Sequence, residues 1–428
     1  MKAGILVLNL AFLLFISYRI WSREKSSLRK FFWPALLLKL IAGICLGLVY
    51  TYYYSIGDTF LYFQDGVRLA TLARTDLASY FSFLWAGDES FPIWSELVYR
   101  QPRAMFLSKV TSLFCLLTVD NYWVISLYFS AIAFVASWYF VKKINNSFEE
   151  GVQPATILGF LFFPSVVFWS AGIIKESVAI AALFFLSIIF LKIWRREKLH
   201  WIEWFLTLTS LWIEWNLKYY YLAIFLPIAF TTFTFQYLLT KFTLKNLALK
   251  VVLWCLIFII PLLMMSLLHP NFYYERFIEV VVSSYYQFQT ISNPEDLIHY
   301  NALEATSSSI LQNSPWALFS GLFRPAFMEA RTALQWVIAI ENFILLIFTL
   351  GALTQVTRLI KSKHRLLLFS IIMYATLLCI FLALSTPNFG TLSRYRVGFL
   401  PYLVFVLTIN NPLINKLMML KIFRNLVR

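Results

Sequence analysis

Long apolar runs separated by short polar and basic segments recur along nearly the whole chain. An α-helix that crosses the roughly 30 Å hydrocarbon core of a bilayer needs about 20 mainly apolar residues. By this criterion we predict about eleven transmembrane helices, at residues 3–20, 32–54, 122–141, 154–171, 177–194, 201–214, 219–236, 250–268, 333–356, 366–385 and 397–413. The pattern therefore predicts an all-α polytopic membrane protein.

The composition agrees with this pattern. Of the 428 residues, 60% are hydrophobic and 13% are charged, whereas ordinary soluble domains carry roughly 25% charged residues. Aromatic residues make up 19%, which suits interfacial belts and surfaces that stack on sugar rings. The four cysteines lie in apolar stretches without paired or metal-like spacing, so we expect neither a disulfide framework nor a zinc site; they are Cys45, Cys115, Cys255 and Cys379.

The net charge of +15 reflects membrane topology and does not indicate nucleic-acid binding. Of the 36 Lys and Arg residues, 22 fall in short segments, at 19–30, 142–143, 192–198, 241–250, 358–365 and 416–428. Short cytoplasmic loops carry such an excess of positive charge. We therefore predict an outer N-terminus, a cytoplasmic C-terminus and two large outer loops, 55–121 and 269–332.

The excess of positive charge in cytoplasmic loops also decides whether the short apolar segment 105–118 crosses the membrane. Crossing the membrane there would move the later basic clusters to the outside, so we predict an interfacial helix. The amphipathic segment 67–85 is expected to lie on the same surface. The domain organisation is then an appended helix with its basic loop (1–31), one membrane domain (32–413) and a basic tail (414–428).

The stretch YSIGDTFLYFQDG follows an apolar run and contains two carboxylates. If it begins a helix, Asp58, Tyr62 and Asp65 lie at positions i, i+4 and i+7 and share one face. We expect both carboxylates to point into one cavity at the outer membrane edge. The alternative is that Asp58 only caps the helix that follows Gly57.

Further charged residues lie at other predicted outer boundaries. Lys175 and Glu176 lie in the segment FPSVVFWSAGIIKES, and Lys218 lies in NLKYYYL. Arg394 and Arg396 lie in STPNFGTLSRYRVGFLP. Charges there are costly unless they face water, a partner or a substrate, and arginine matches phosphate oxygens. The alternatives are snorkelling, helix capping, general headgroup binding and interfacial anchoring.

In their order and membrane side, these features resemble the GT-C superfamily of integral membrane glycosyltransferases. The resemblance covers most of residues 32–413. It rests on a span followed by an outer loop that opens with an acidic residue, a second acidic turn two spans later and a late outer Arg-Tyr segment. It implies inverting transfer of a sugar from a polyprenyl-phosphate donor to a glycan, lipid or protein acceptor, at the periplasmic face of a bacterial inner membrane.

The resemblance also implies roles for individual residues. Asp58 matches the catalytic acidic residue, with Asp65 as its substitute, and Glu176 matches the second acidic motif. Arg394 and Arg396 match the site for the lipid-linked phosphate. The remaining candidates for substrate contact are Lys175, Lys218 and, in the aromatic-rich second outer loop, Arg324.

The chain departs from the family at both acidic motifs. Asp58 is followed by Thr59, and Lys175 stands beside Glu176 where paired acids are expected. A divalent metal, Mg²⁺ or Mn²⁺, would be held by Asp58 and Glu176 if the reaction uses one, and Lys175 is an alternative source of positive charge. No other cofactor is expected.

Two other classes of function remain open. An O-antigen or exopolysaccharide polymerase or ligase would depend on outer arginines, such as Arg100, Arg103 and Arg324. A flippase or transporter would use ionisable residues deep in the spans, where Lys39 and Glu341 are the candidates. Pairing of those two across helices would favour transport.

Overall fold

The protein is all-helical, with 81% of residues in helix and no strand within the described part of the chain. The computed structural model describes residues 2–54, 57–148, 151–242, 246–267 and 273–419. The α-helices are α1 (Lys2–Ser22), α2 (Arg29–Tyr52), α3 (Asp58–Thr75), α4 (Leu77–Trp85), α5 (Pro102–Thr118), α6 (Tyr122–Ser147), α7 (Gln153–Ile157), α8 (Pro164–Phe168), α9 (Lys175–Trp194), α10 (Trp201–Lys241), α11 (Leu247–Ser266), α12 (Tyr274–Ile291), α13 (Ser307–Phe323), α14 (Ala333–Leu353), α15 (Val356–Lys361), α16 (Arg365–Ser385), α17 (Phe389–Tyr395), α18 (Leu400–Thr408) and α19 (Pro412–Met419).

Among the described residues, eight helices are long and apolar enough to cross a membrane. They are α1, α2, α6, α9, α10, α11, α14 and α16. Seven of them correspond to single predicted runs, and α10 covers two. The prediction of an all-α polytopic membrane protein is confirmed, with eight candidate spans by length and composition.

Two predicted spans are interrupted next to prolines. Phe163 is extended (φ −67°, ψ 123°), because a residue that precedes proline avoids the α conformation. The chain from 153 to 168 therefore forms α7, a π-helical turn at Leu158–Phe162 and α8. In the last predicted span, the helix stops at Thr408, and Asn410 has a positive φ of 53° shortly before Pro412.

The predicted spans 201–214 and 219–236 lie in α10, which consists of two helical segments that meet at a kink. The gap between these two apolar runs predicts a turn at 215–218. That segment has no Gly or Pro to end a helix, and only Lys218 departs from helical geometry (φ −142°, ψ 54°). The turn is therefore replaced by a break at one residue.

Residue contacts divide the chain into two compact units. Unit 1 consists of Met1–Lys143, Val167–Ile193 and Glu197–Tyr219. Unit 2 consists of Ile144–Val166, Trp194–Arg196 and Tyr220–Arg428.

In unit 1 the predicted first outer loop is a packed helical layer. Helix α3 lies directly against α5, and a Cβ atom added at Gly66 would come within 2.9 Å of the Thr111 Cγ2 atom. A small core lies beside this contact, made of Leu69, Tyr80, Phe83, Leu97 and Met105. The predicted interfacial segment 105–118 is helical and belongs to α5, which has 17 residues and is not among the candidate spans.

In unit 2 the predicted second outer loop contains α12 and α13. Helix α13 packs closely on α16, since a Cβ atom at Gly321 would lie 2.6 Å from the Cys379 sulfur. All four cysteines are free thiols, as the sequence predicted.

Candidate functional site

Asp58 is the first residue of α3, and its carboxylate is half-buried. The residue before it, Gly57, is the N-cap, with extended backbone. A side chain at Gly57 would collide with the Tyr50 ring, whose nearest atom would lie 1.8 Å from the added Cβ. The cap position is therefore taken by Gly57, so Asp58 is not the N-cap residue of this helix.

The Asp58 carboxylate lies against an aromatic pair. Tyr99 donates a hydrogen bond of 2.5 Å from its hydroxyl to the Asp58 Oδ1 atom. The Tyr99 ring stacks on Tyr62, with 4.6 Å between ring centroids. The Lys175 Nζ atom lies 5.6 Å from the centroid of Tyr62, a cation–π distance. We call these four residues the Asp58 cluster; all of them belong to unit 1.

Asp65 has a different environment from Asp58. Its side chain is fully buried and accepts hydrogen bonds of 2.9 Å from the backbone N–H groups of Val98 and Tyr99. Arg68 also donates to it, at 3.0 Å. Asp65 thereby fixes the backbone that carries Tyr99, and Tyr99 in turn contacts Asp58.

Glu176 and Lys218 form a buried ion pair in unit 1. The Lys218 Nζ and Glu176 Oε1 atoms are 2.7 Å apart, and the side chains are 3% and 0% exposed. Glu214, one helical turn before Lys218, is also fully buried and interacts electrostatically with it. Lys218 is the residue at which α10 is broken, so the ion pair and the break coincide.

The candidate arginines lie in unit 2 and have partners there. Arg396 is 2% exposed and donates hydrogen bonds to Asn342 Oδ1 (2.6 Å) and to the carbonyl of Leu322 (2.9 Å). Arg324 pairs with Glu329 and packs over the rings of two aromatic residues, Trp316 and Phe389. Arg394 is buried in α17.

The arginines proposed for a polymerase differ from each other in exposure and contacts. Arg100 donates to the carbonyls of Leu97 and Ser95 and so holds its own loop. Arg103 is exposed, and its guanidinium lies 4.8 Å from the Tyr219 ring centroid. Within the described part of the chain, the Arg103 guanidinium has no acceptor, so its donor groups are accessible to a ligand.

The two candidates for transport each have partners within their own unit. In unit 1, Lys39 is buried and donates to Ser170 Oγ and to the Val167 carbonyl. In unit 2, Glu341 accepts a 2.7 Å hydrogen bond from the Ser165 backbone N–H. These contacts give both residues a structural role.

The structure thus brings Asp58 and Lys175 into one cluster, with Asp65 as its support, and it pairs Glu176 with Lys218. Within the part of the chain that the structure describes, no group of three or more His, Cys, Asp or Glu side chains is placed to hold a metal ion. The sequence analysis did not single out Tyr99, nor Glu214 at the end of the predicted span 201–214.

Comparison with protein-family models, curated proteins and solved structures gives no match for this chain.

Proposed function

We propose that this protein is a GT-C-like membrane glycosyltransferase in which Asp58 is the general base. The observation that carries the proposal is the contrast between two carboxylates of one helix. Asp65 is fully buried and its oxygens are occupied by three donors. Asp58 is half-buried beside a tyrosine pair and a lysine, so it combines access with a defined orientation.

The proposed chemistry requires a base and a cation. The donor would be a sugar linked to a polyprenyl phosphate, whose tail stays in the bilayer. As the acceptor hydroxyl attacks the anomeric carbon, the Asp58 carboxylate takes its proton, and the bond from that carbon to the phosphate oxygen breaks. Lys175 would stabilise the departing phosphate, and the partly exposed ring of Tyr99, supported by the buried Tyr62, would offer a surface for a sugar.

The cations outside this cluster fit phosphate binding less well. Arg396 and Arg324 already donate to protein acceptors, and Lys218 neutralises Glu176. Releasing any of them would leave a buried charge without its partner, which is costly. We assign the phosphate contact to Lys175 because it lies in the Asp58 cluster, over the Tyr62 ring, with Arg103 as the exposed alternative.

The proposal is tested by Asp58→Asn in the native host, with surface glycans and lipid-linked intermediates measured by mass spectrometry at equal membrane abundance. We expect one glycan to disappear and its lipid-linked donor to accumulate, because the amide cannot accept the proton. The decrease in product should be about 100-fold or more, in the range of general-base removal.

Asp88→Asn is the matched control, because Asp88 is an exposed carboxylate of the same predicted outer loop that contacts only Ser90 nearby. This variant should retain its glycan. If Asp58→Asn retains the glycan while deletion of the gene removes it, Asp58 is not the base.

The exposure of Arg103 favours one second candidate, the arginine-dependent polymerase or ligase. Under that function, Arg103→Gln abolishes the product and Asp58→Asn spares it. Under the transferase function, Asp58→Asn abolishes the product, and Arg103→Gln has at most a partial effect. The two variants in parallel therefore separate the candidates.

A further inference from the structure

Unit 2 contains an apolar cavity of about 340 Å³, which is within the range of pockets for small ligands, about 300–1,000 Å³. Four helices line it: the last part of α10, the first part of α11, α15 and the first part of α16. Apart from Lys250 and Arg365, the side chains that line the cavity are aliphatic or aromatic. The cavity therefore suits a hydrocarbon chain.

The two cations come from separate basic clusters. Lys250 belongs to 241–250 and Arg365 to 358–365, both predicted to be cytoplasmic. Neither side chain forms an ion pair with another described residue. The packing of α11 against α16 therefore brings two cations, which have no ion-pair partner among the described residues, to one apolar cavity.

Trp254 provides a second, independent observation. Its side chain lines the cavity and is 1% exposed, held by Phe258 (5.3 Å between centroids) and Phe369 (5.1 Å). The indole N–H has no hydrogen-bond partner among the described residues. Buried donors are almost always paired, because an unmade hydrogen bond costs free energy. A residue of the cavity wall therefore carries a buried donor without a described acceptor.

From these three observations we propose that the cavity is a binding site for an anionic phospholipid. An acyl chain occupies the apolar volume beside Trp254, and Lys250 and Arg365 bind the phosphate. Basic pockets between membrane helices on the cytoplasmic side recognise anionic headgroups in this way. The inference is independent of the proposed transferase reaction.

Two other occupants fit the cavity less well. Free phosphate would satisfy the cations but leave the apolar walls unfilled. A partner helix, about 10 Å across with its side chains, is too wide for two turns to enter this volume. A phospholipid matches both the charge and the walls.

The test uses quenching of tryptophan fluorescence by brominated acyl chains. The full chain is reconstituted in phosphatidylcholine nanodiscs, with a rising fraction of brominated phosphatidylglycerol. We expect a saturable quenching component that is absent in Trp254→Phe, since Trp254 is shielded from the bulk bilayer. The double variant Lys250→Gln with Arg365→Gln should raise the half-saturating lipid fraction at least tenfold.

The matched control is Arg358→Gln with Lys361→Gln. Both residues are exposed on α15, carry the same total charge and do not line the cavity, so half-saturation should change less than twofold. The charge-conserving pair Lys250→Arg with Arg365→Lys should retain binding, which separates charge loss from misfolding.

Three results would overturn the proposal. An equal shift in the control variant would mean general surface attraction. Equal quenching of Trp254 by brominated phosphatidylcholine would mean that the headgroup charge has no role. Displacement of the quenching component by millimolar inorganic phosphate would mean a free-anion site.

Discussion

At the scale of single residues, the two carboxylates of α3 differ in what each can do. A fully buried carboxylate with three donors is held by its partners and in turn holds them. A half-buried carboxylate that a tyrosine hydroxyl orients is only partly covered by the protein. Asp65 therefore acts as a positioning residue for the loop of Tyr99, and Asp58 is the group that we propose meets a substrate.

This difference predicts effects of different size from the same substitution. Asp65→Asn should destabilise the protein by about 2–3 kcal/mol, because the amide cannot accept from both buried backbone N–H groups and removes the charge that pairs with the partly exposed Arg68. Asp58→Asn should cost only about 1 kcal/mol. Thermal unfolding of the two variants in detergent, with Asp88→Asn as reference, measures the contrast. Equal melting temperatures for the Asp65 and Asp58 variants would contradict it.

The ion pair of Glu176 and Lys218 gives a second prediction at this scale. Lys218→Met should destabilise the protein by about 3–5 kcal/mol, since it leaves a buried charge alone. Lys218→Met combined with Glu176→Leu should recover part of that loss, because the buried Glu214 still lacks the Lys218 charge. The reference variant is Lys192→Met, which removes the partner of Glu203 from a partly exposed ion pair. This variant should lower the free energy of unfolding by at most about 1 kcal/mol. A double variant no more stable than Lys218→Met would refute the pairing argument.

At the scale of single residues, the sequence predicts only those relations in the site that depend on spacing along one helix. The i, i+4, i+7 relation put Asp58, Tyr62 and Asp65 on one helix, and α3 begins at Asp58. Tyr99 lies 41 residues from Asp58 and depends on how the loop folds back. No local pattern in the sequence carries that information.

At the scale of elements, the segment around the π-helical turn shows how closely helices of unit 2 approach. A Cβ atom at Gly159 would lie 2.9 Å from the Pro401 carbonyl oxygen and 3.1 Å from the Phe405 backbone nitrogen. Both neighbours are backbone atoms, which cannot rotate away. The contact between this turn and α18 therefore requires glycine.

Gly159→Ala should accordingly destabilise the protein by about 1–3 kcal/mol, the usual cost of overpacking. Gly4→Ala in α1 is the matched control, because an added Cβ there meets nothing within 4 Å and alanine favours the helix. Thermal unfolding in the same detergent compares them. A Gly159 variant as stable as the Gly4 variant would show that the helices can separate without cost.

The sequence predicted the helices correctly where the length of an apolar run was enough to define them. Seven predicted spans have a single helix as counterpart. The predictions missed the extended Phe163, since a window of apolar residues does not register one proline, whereas the predicted turn at 215–218 contains Lys218, the residue at which α10 is kinked. Local backbone chemistry decided both cases.

At the scale of the whole molecule, the distribution of positive charge predicts sidedness. Asp88→Cys should react with a membrane-impermeant maleimide in intact spheroplasts, and Lys361→Cys should react only after permeabilisation. Background labelling of the native cysteines should be low. Burial raises the pKa of the Cys115 thiol to about 12, so little thiolate forms there at neutral pH. The substitution Cys255→Ser removes the exposed thiol. The reverse pattern of labelling would invert the topology.

The break in α10 has an electrostatic consequence beyond its geometry. An interrupted helix has two extra ends, and the carbonyl end of the first segment carries a partial negative charge. Lys218 stands at that end and balances it with its ammonium group. Its partner Glu176 lies in the first turn of α9, where the macrodipole is positive. The single ion pair thus complements two helix dipoles at once, which explains how Lys218 is retained in a largely apolar part of α10.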